Sequence, residues 1–276
     1  METLRFLQRH LPTSIFDFVK LSNGLVLLVV LFVPLERLWP VRPQPTLRRG
    51  WLTDVGYYYL SSLLPNRLLV PPLAALAAGI LQLGPWTLHV WVSGLPDSLR
   101  FAGAMVVAEV GFYWGHRLMH EHEWLWRFHA VHHSPDRMDW LVNTRAHPVD
   151  LVFTRLCGYV PIYVLGFARP SSNTLDWVPL LVALVGALWG YFIHANLRWR
   201  FGWLEHLVST PGFHHWHHHN EGSGHRHRNY APLMPWVDRL FGTLHLDRAR
   251  WPDRYGIDEA IEGNLVEQLV RPFAKR

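Results

Sequence analysis

The stretch Trp114-Gly-His-Arg-Leu-Met-His-Glu-His-Glu-Trp-Leu-Trp-Arg-Phe-His-Ala-Val-His-His133 decides the reading of this chain. It sets His116 and His120 four residues apart, then His129, His132 and His133 at spacings of three and one. Helical residues at i, i+3 and i+4 share a face, so each group can aim several imidazoles at one point. A second cluster, His214-His215-Trp216-His217-His218-His219, repeats the pattern further along the chain. Sixteen of the nineteen histidines fall within residues 116–147 and 194–227, a concentration that isolated core histidines would not produce.

The surroundings are those of a membrane protein. Half of the 276 residues are hydrophobic and 17% are charged, with the apolar residues gathered in long blocks. Fifteen Trp and nine Tyr suit a chain lying partly at the headgroup layer. The net charge of +5 comes from Arg scattered outside the apolar blocks, which fits loops facing anionic lipid rather than a nucleic-acid footprint. The single cysteine, Cys157, lies in an apolar block, so no disulfide and no cysteine-based metal site can be built within the chain. No removable signal peptide is read at the N-terminus.

Residues 1–20 are expected to form an interfacial helix with Arg5, Arg9 and Lys20 on its polar side, followed by a span at Leu21–Leu35. Residues 36–50 are a Pro- and Arg-rich loop. Trp51–Leu83 is apolar but broken by Pro65-Asn66-Arg67 and Pro71-Pro72, and reads as one kinked span or a re-entrant hairpin. Gly84–Ser98 reads as a loop, and Leu99–Gly115 as a span that delivers His116 at its end. Val149–Ala168 and Asp176–Ile193, joined around Arg169-Pro170, are expected to form a membrane hairpin that returns His194 to the face it left. The positive-inside rule puts every histidine segment on the cytoplasmic side. The expected fold is therefore all-α: a bundle of about four transmembrane helices with a cytoplasmic histidine-rich cap. Residues 1–98 hold the N-terminal interfacial and membrane segments, 99–245 the metal domain and 246–276 a C-terminal tail, in one structural unit.

Eight histidines have ligand spacing: His116, His120, His129, His132, His133, His214, His217 and His218. Imidazole suits iron, zinc or copper. Eight neutral nitrogens exceed what one tetrahedral zinc takes and fit two metals with open positions, which can activate a small molecule such as dioxygen.

The motifs resemble the fatty acid hydroxylase/sterol desaturase superfamily of membrane di-iron oxygenases. Its HxxxH, HxxHH and late HxxHH patterns stand here as His116–His120, His129–His133 and His214–His218. The likeness extends to Tyr113-Trp114, Ser134, Arg145-Ala-His147-Pro148, Phe192-Ile-His194-Ala-Asn196, Thr210-Pro211, Asn229-Tyr230 and Trp236-Val-Asp238-Arg-Leu-Phe241-Gly242-Thr243, over roughly residues 100–245. The resemblance implies two iron ions, for which zinc could substitute in purified protein, and it adds His194 to the eight as a ninth ligand. It also implies dioxygen as oxidant and hydroxylation or desaturation of a lipid from the bilayer, whether sterol, fatty acyl chain, carotenoid or ether lipid. Two positions depart from the pattern: His227 stands where relatives carry Asp, and Arg198 where some carry a further ligand. His227, His206 or His219 could then complete the set.

Glu109 lies two helical turns before His116, so it is expected to hydrogen-bond a ligand imidazole, relay protons or brace a neighbouring helix. His147 and Asn196 read as supports around the ligands, and His122, His215 and His219 as pointing off their shared face. His10, His89 and His245 read as interfacial. Trp124, Trp126 and Phe128 read as anchors or core, and Arg239, Arg248, Arg250 and Arg254 as a solvated, lipid-facing basic surface, with docking of an acidic electron donor as the alternative. No flavin, nicotinamide or haem motif is present, so electrons are expected from a separate ferredoxin or cytochrome partner with its reductase. The competing readings are a histidine-rich membrane metal-binding or transport protein and a bis-histidine b-type haem electron carrier. The first would put ionisable residues along several spans, and the second leaves the HxxHH triplets unexplained.

Overall fold

The computed structural model describes residues 12–169, 176–220, 227–261 and 263–274, with the side chains of 65 and 66 left aside. Helices account for all regular structure in these residues, apart from one isolated bridge between His219 and Tyr255. Numbered in chain order they are α1 (Thr13–Leu38), α2 (Trp51–Leu68), α3 (Val70–Leu83), α4 (Thr87–Ser93), α5 (Asp97–Glu121), α6 (Glu123–His133), α7 (Pro148–Val164), α8 (Trp177–His194), α9 (Pro211–His217), α10 (Pro235–Leu240) and α11 (Leu265–Val270). Short 3₁₀ turns at Trp140–Thr144, Gly202–His206 and Arg271–Phe273 complete the set.

Among the described residues, α1 and α8 are long and apolar enough to cross a membrane, and α3 with α4, bent by 116°, is a broken span or re-entrant loop. The expected boundary at residue 20 is absent: nothing in Ser14–Lys20 stops a helix, and α1 runs on through it. The expected interfacial helix otherwise falls on residues outside those described. The expected loop at Gly84–Ser98 contains α4, held between Trp86 and Gly94. Leu99–Gly115 is helical and Val149–Ala168 is helical as far as Val164, but α5 and α7 bury polar side chains such as Arg100, Glu109 and Asp150.

The two arms of the expected hairpin, α7 and α8, are both packed against α5. Ala104 and Ala108 of α5 meet Ile162 from α7 and Val178 and Val182 from α8 in one core. Small residues allow this approach: a Cβ on Gly111 would lie 2.1 Å from the Cys157 carbonyl oxygen, and one on Gly158 would lie 2.5 Å from the Phe112 ring. The close crossing of α5 and α7 positions the last turns of α5, and His116 follows directly after Gly115, where an added Cβ would lie 2.9 Å from the Cys157 side chain. The C-terminal segment packs back on the bundle, with Ile261 and Leu265 against Tyr57 of α2 and Val131 of α6.

Candidate metal centre

Four helix ends converge. The last turns of α5 carry His116 and His120 on one face. His122, in extended conformation, ends α5 and starts α6, which presents His129, His132 and His133. His194 is the last residue of α8. Thr210 caps α9 by accepting from the Phe213 amide, with Pro211 in the first turn, so the short helix starts where its histidines are needed. The ring nitrogens collect into two groups: His116, His120, His129, His133 and His217 in one, and His132, His194, His214 and His218 in the other. Within each group they lie within 4.8 Å of one another. All nine residues picked out as ligands fall in these groups, and His133 stacks on His218 across the boundary at 4.3 Å.

Hydrogen bonding on the far side of the rings fixes which nitrogen is bare. His132 Nδ1 donates to the Arg145 carbonyl and His194 Nδ1 to the Gly190 carbonyl. His116 Nδ1 donates to the Tyr230 carbonyl, His217 Nδ1 to the Arg228 carbonyl and His129 Nδ1 to the Asp150 carboxylate. These partners only accept, so in a neutral ring the hydrogen sits on Nδ1 and Nε2 is a lone pair. Yet His116 and His129 bring their Nε2 atoms to 3.1 Å, and His132 and His194 to 3.2 Å. Lone pairs facing at that distance repel unless a cation lies between them. A metal about 2.0–2.1 Å from each nitrogen would separate adjacent ligands by about 3 Å, so the donor set fits a metal ion in both groups.

Protons do not compete well for these nitrogens. Burial, reinforced by neighbouring imidazoles, lowers His132 to about 3 and holds His133, His214, His217 and His218 well below the ordinary histidine range. The rings are neutral at physiological pH and available as ligands.

Several supports were not evident in the sequence. Asp150, in the first turn of α7, holds His129 at 2.8 Å. Asp238 accepts from the Tyr230 and Ala231 amides and so fixes the carbonyl that orients His116. Arg145, whose carbonyl orients His132, is paired through its guanidinium with buried Asp54. Asp54 also meets Arg48, which in turn binds Asp139 at 2.6 Å. His215 is fully buried and links the Ala195 carbonyl to the Tyr255 hydroxyl, bracing the turn that follows His194.

Other expected positions lie elsewhere. The Glu109 carboxylate accepts from the amides of Leu233 and Met234, tying α5 to the chain before α10. His147 caps α7 through Val149 and donates to the Leu269 carbonyl. The Asn196 side chain pairs with both backbone groups of Arg42. His227 is exposed and contacts the Tyr230 hydroxyl, and neither it, His206 nor His219 belongs to the two groups. His89, expected at the interface, is buried against the Val164 carbonyl. Trp126 lies tilted against His120 and His133, and Phe128 packs on His147 and Phe273. His10 lies outside the described residues.

Comparison with known proteins identifies a family. The fatty acid hydroxylase family profile matches residues 101–243, just over half of the chain. The chain is 35% identical over 189 residues to the ornithine lipid hydroxylase OlsE of Rhizobium tropici, covering 68% of this chain and 54% of that protein. It is 28% identical to the alkylglycerol monooxygenase of Homo sapiens over 68% of this chain and 36% of the relative. It is 31% identical to the Delta(7)-sterol 5(6)-desaturase ERG3B of Gibberella zeae over 62% of this chain and 50% of the relative. The matches thus span about half, or less, of the length of these relatives. No solved structure matches the chain.

Proposed function

The chain belongs to the fatty acid hydroxylase family, and from that premise we propose that it is a membrane-embedded, di-iron, dioxygen-dependent oxidoreductase that hydroxylates a lipid. The observation that carries the reading is the convergence of nine imidazoles, five in one group and four in the other, with ring nitrogens within 4.8 Å of one another in each group. His116, His120, His129, His133 and His217 are the proposed ligands of one iron, and His132, His194, His214 and His218 those of the other. When bound, the pair of irons supplies the activation of dioxygen and the cleavage of an unactivated C–H bond.

The protein's own groups supply position and dryness. The carbonyls of Arg145, Gly190, Tyr230 and Arg228, with the Asp150 carboxylate, hold the rings in one tautomer and one orientation. Burial of the histidines keeps competing water and protons away. In balance, C–H, dioxygen, two electrons and two protons give C–OH and water. The electrons come from a reductant of ferredoxin or cytochrome type, and the basic surface that includes Arg239, Arg248, Arg250 and Arg254 is its proposed docking face. The centre is proposed to lie on the cytoplasmic side, where the arginine-rich segments gather.

The test is metal analysis combined with labelled dioxygen. Purified protein should hold about two irons per chain without haem absorption, and should place labelled oxygen in a membrane lipid when supplied with reductant. His132→Ala should lose metal from the four-histidine group and abolish oxidation while still inserting in the membrane. Full turnover by that variant would refute the two-metal assignment.

A further inference from the structure

Arg155 stands two turns into α7 and is half-buried, yet among the described residues its guanidinium makes no hydrogen bond and no ion pair. The titratable groups within electrostatic reach of it are Tyr159, Tyr191 and, more weakly, Asp150. Both Asp150 oxygens are already engaged, one by His129 Nδ1 at 2.8 Å and the other by the Thr154 hydroxyl at 3.2 Å. The hydroxyls of half-buried Tyr159 and Tyr191 make no hydrogen bond among the described residues either. Nor does the side-chain amide of Asn143, which lies against α8 where a Cβ on Gly190 would fall 2.5 Å from its Oδ1. These four side chains come from α7, α8 and the 3₁₀ turn at Trp140–Thr144, and they flank the four-histidine group. Gly190 gives its carbonyl to His194, and Arg145, two residues after Asn143, gives its carbonyl to His132. The walls around them are aromatic: Phe112 meets Tyr159 edge-on at 5.7 Å, and Phe32 and Trp140 lie 6.3 and 6.0 Å from Tyr191. Buried polar groups are ordinarily paired, and an unpaired cation inside a membrane bundle is costly unless something brings the counter-charge.

We propose that Arg155 is a specificity-determining residue that holds the acidic group, carboxylate or phosphate, of the lipid, with Tyr159, Tyr191 and Asn143 as further hydrogen-bond donors. The proposal deepens the lipid-oxidation reading above and rests on it. A guanidinium takes a carboxylate or a phosphate through two parallel N–H donors. A neutral lipid would leave that cation without its counter-charge, and a cationic one would be repelled. One cation among aromatic rings suits an amphiphile, because a free inorganic anion would gain nothing from the rings. Arg155 lies five residues beyond Asp150, about 7–8 Å along the helix axis, so the anchor is separate from the ligand rings. It fixes which part of the lipid lies at the histidines.

Two measurements test this. The first is calorimetric binding of dodecyl phosphate, dodecanol, dodecyltrimethylammonium and inorganic phosphate to the full chain in nonionic detergent, with protein-free micelles subtracted; it needs no turnover. Dodecyl phosphate should bind about tenfold or more tightly than the other two chains, as charge-assisted hydrogen bonds in a partly buried site allow. Arg155→Gln should remove that preference with iron content unchanged, Arg155→Lys should keep part of it, and Tyr191→Phe should weaken dodecyl phosphate by about two- to tenfold. Arg155→Gln should also unfold at no lower denaturant concentration than the unaltered chain, because it loses no partner within the chain. A clear drop in stability, equal binding of the three chains, or a preference that survives Arg155→Gln would overturn the proposal. Inorganic phosphate binding as tightly as dodecyl phosphate would overturn it too, since the chain would then contribute nothing. The second measurement is turnover under labelled dioxygen with dioleoyl phosphatidic acid and dioleoylglycerol offered together. Label mainly in the acidic lipid, with the preference lost in Arg155→Gln, supports the proposal. Equal labelling overturns it and leaves lipid oxidation standing. Label in neither lipid refutes the oxidation reading and with it the role of Arg155 in specificity, even where the binding preference holds.

Discussion

Removing the Asp150 carboxylate should weaken one metal site and spare the other. Asp150 accepts from His129 Nδ1 at 2.8 Å, and both side chains are more than nine-tenths buried. His129 belongs to the five-histidine group, whereas the four-histidine group has its own orienting partners, the carbonyls behind His132 and His194. Loss of a partner behind a ligand imidazole costs about 10- to 100-fold in metal affinity, or about 1.4–2.7 kcal/mol. Asp150→Asn keeps an oxygen able to accept from Nδ1 and should fall near the lower end. Asp150→Ala leaves a buried N–H without an acceptor and should fall near the upper end. The Thr154 hydroxyl also reaches the Asp150 side chain, so Thr154→Val serves as a control for that contact. The assay is a competitive chelator titration with zinc, which should resolve two steps in the unaltered protein. One step should move in the variants and the other should stay. A parallel shift of both steps, or of neither, would refute the idea that Asp150 acts through His129.

Three further outcomes are expected. Asp54→Asn leaves Arg48 and Arg145 buried without their shared counter-charge, so unfolding stability should drop by about 3–5 kcal/mol. Disrupting the exposed Lys20–Asp17 pair by Lys20→Ala should change it by under about 1 kcal/mol, and equal losses in the two denaturant titrations would contradict the burial argument. Gly111→Ala drives a Cβ into the Cys157 carbonyl and should cost about 1–3 kcal/mol together with metal from the five-histidine group, whereas Gly79→Ala meets nothing within 4 Å and should be harmless. Metal-free protein should lose stability as pH falls from about 6.5 toward about 3. Over that range the unfolded chain binds protons at His132 that the native chain refuses, and above it both states are neutral. Asp238, raised to about 6 by burial, acts in the opposite sense between about 4 and 6, as does Asp54, also pushed up by burial, but the depressed histidines outnumber such carboxylates. Denaturant midpoints at pH 7.5, 6 and 5 that rise on acidification would contradict this sign.

The ligand pattern is legible in the sequence because helical geometry turns spacing into direction. His116 and His120, or His214 and His218, can be placed on one face without knowing any contact. His194 is not legible that way: it stands alone at the end of an apolar block and enters only through resemblance. The groups behind the rings are hidden for two reasons. Four of the five acceptors that orient ligand rings through Nδ1 are backbone carbonyls, which any residue supplies. The fifth, Asp150, reads as an ordinary acid in the first turn of a helix, where the dipole favours one. The Arg48–Asp54–Asp139–Arg145 network joins a loop, a helix and two later turns, and no local pattern connects them. Glu109 has the right face, but its partners are the amides of a distant loop.

The partition into five and four follows from the motif itself. On a helix, residues at i and i+4 lie about 40° apart around the axis, whereas consecutive residues lie about 100° apart. An HxxHH motif therefore sends its first and last histidines one way and its middle one another. In α6, His129 and His133 join the five-histidine group while His132 crosses to the other. In α9 the assignment is exchanged: His214 and the capping His218 join the four-histidine group while His217 crosses over. The neighbours His132–His133 and His217–His218 thus straddle the two sites, and each helix contributes to both. Two sites tied together at adjacent residues on two helices cannot drift apart independently, because separating them would require unwinding both. A lone HxxxH, such as His116–His120, serves one site only and carries no such constraint. The doubled HxxHH is the feature that makes the two histidine groups a fixed pair rather than two clusters that happen to be neighbours.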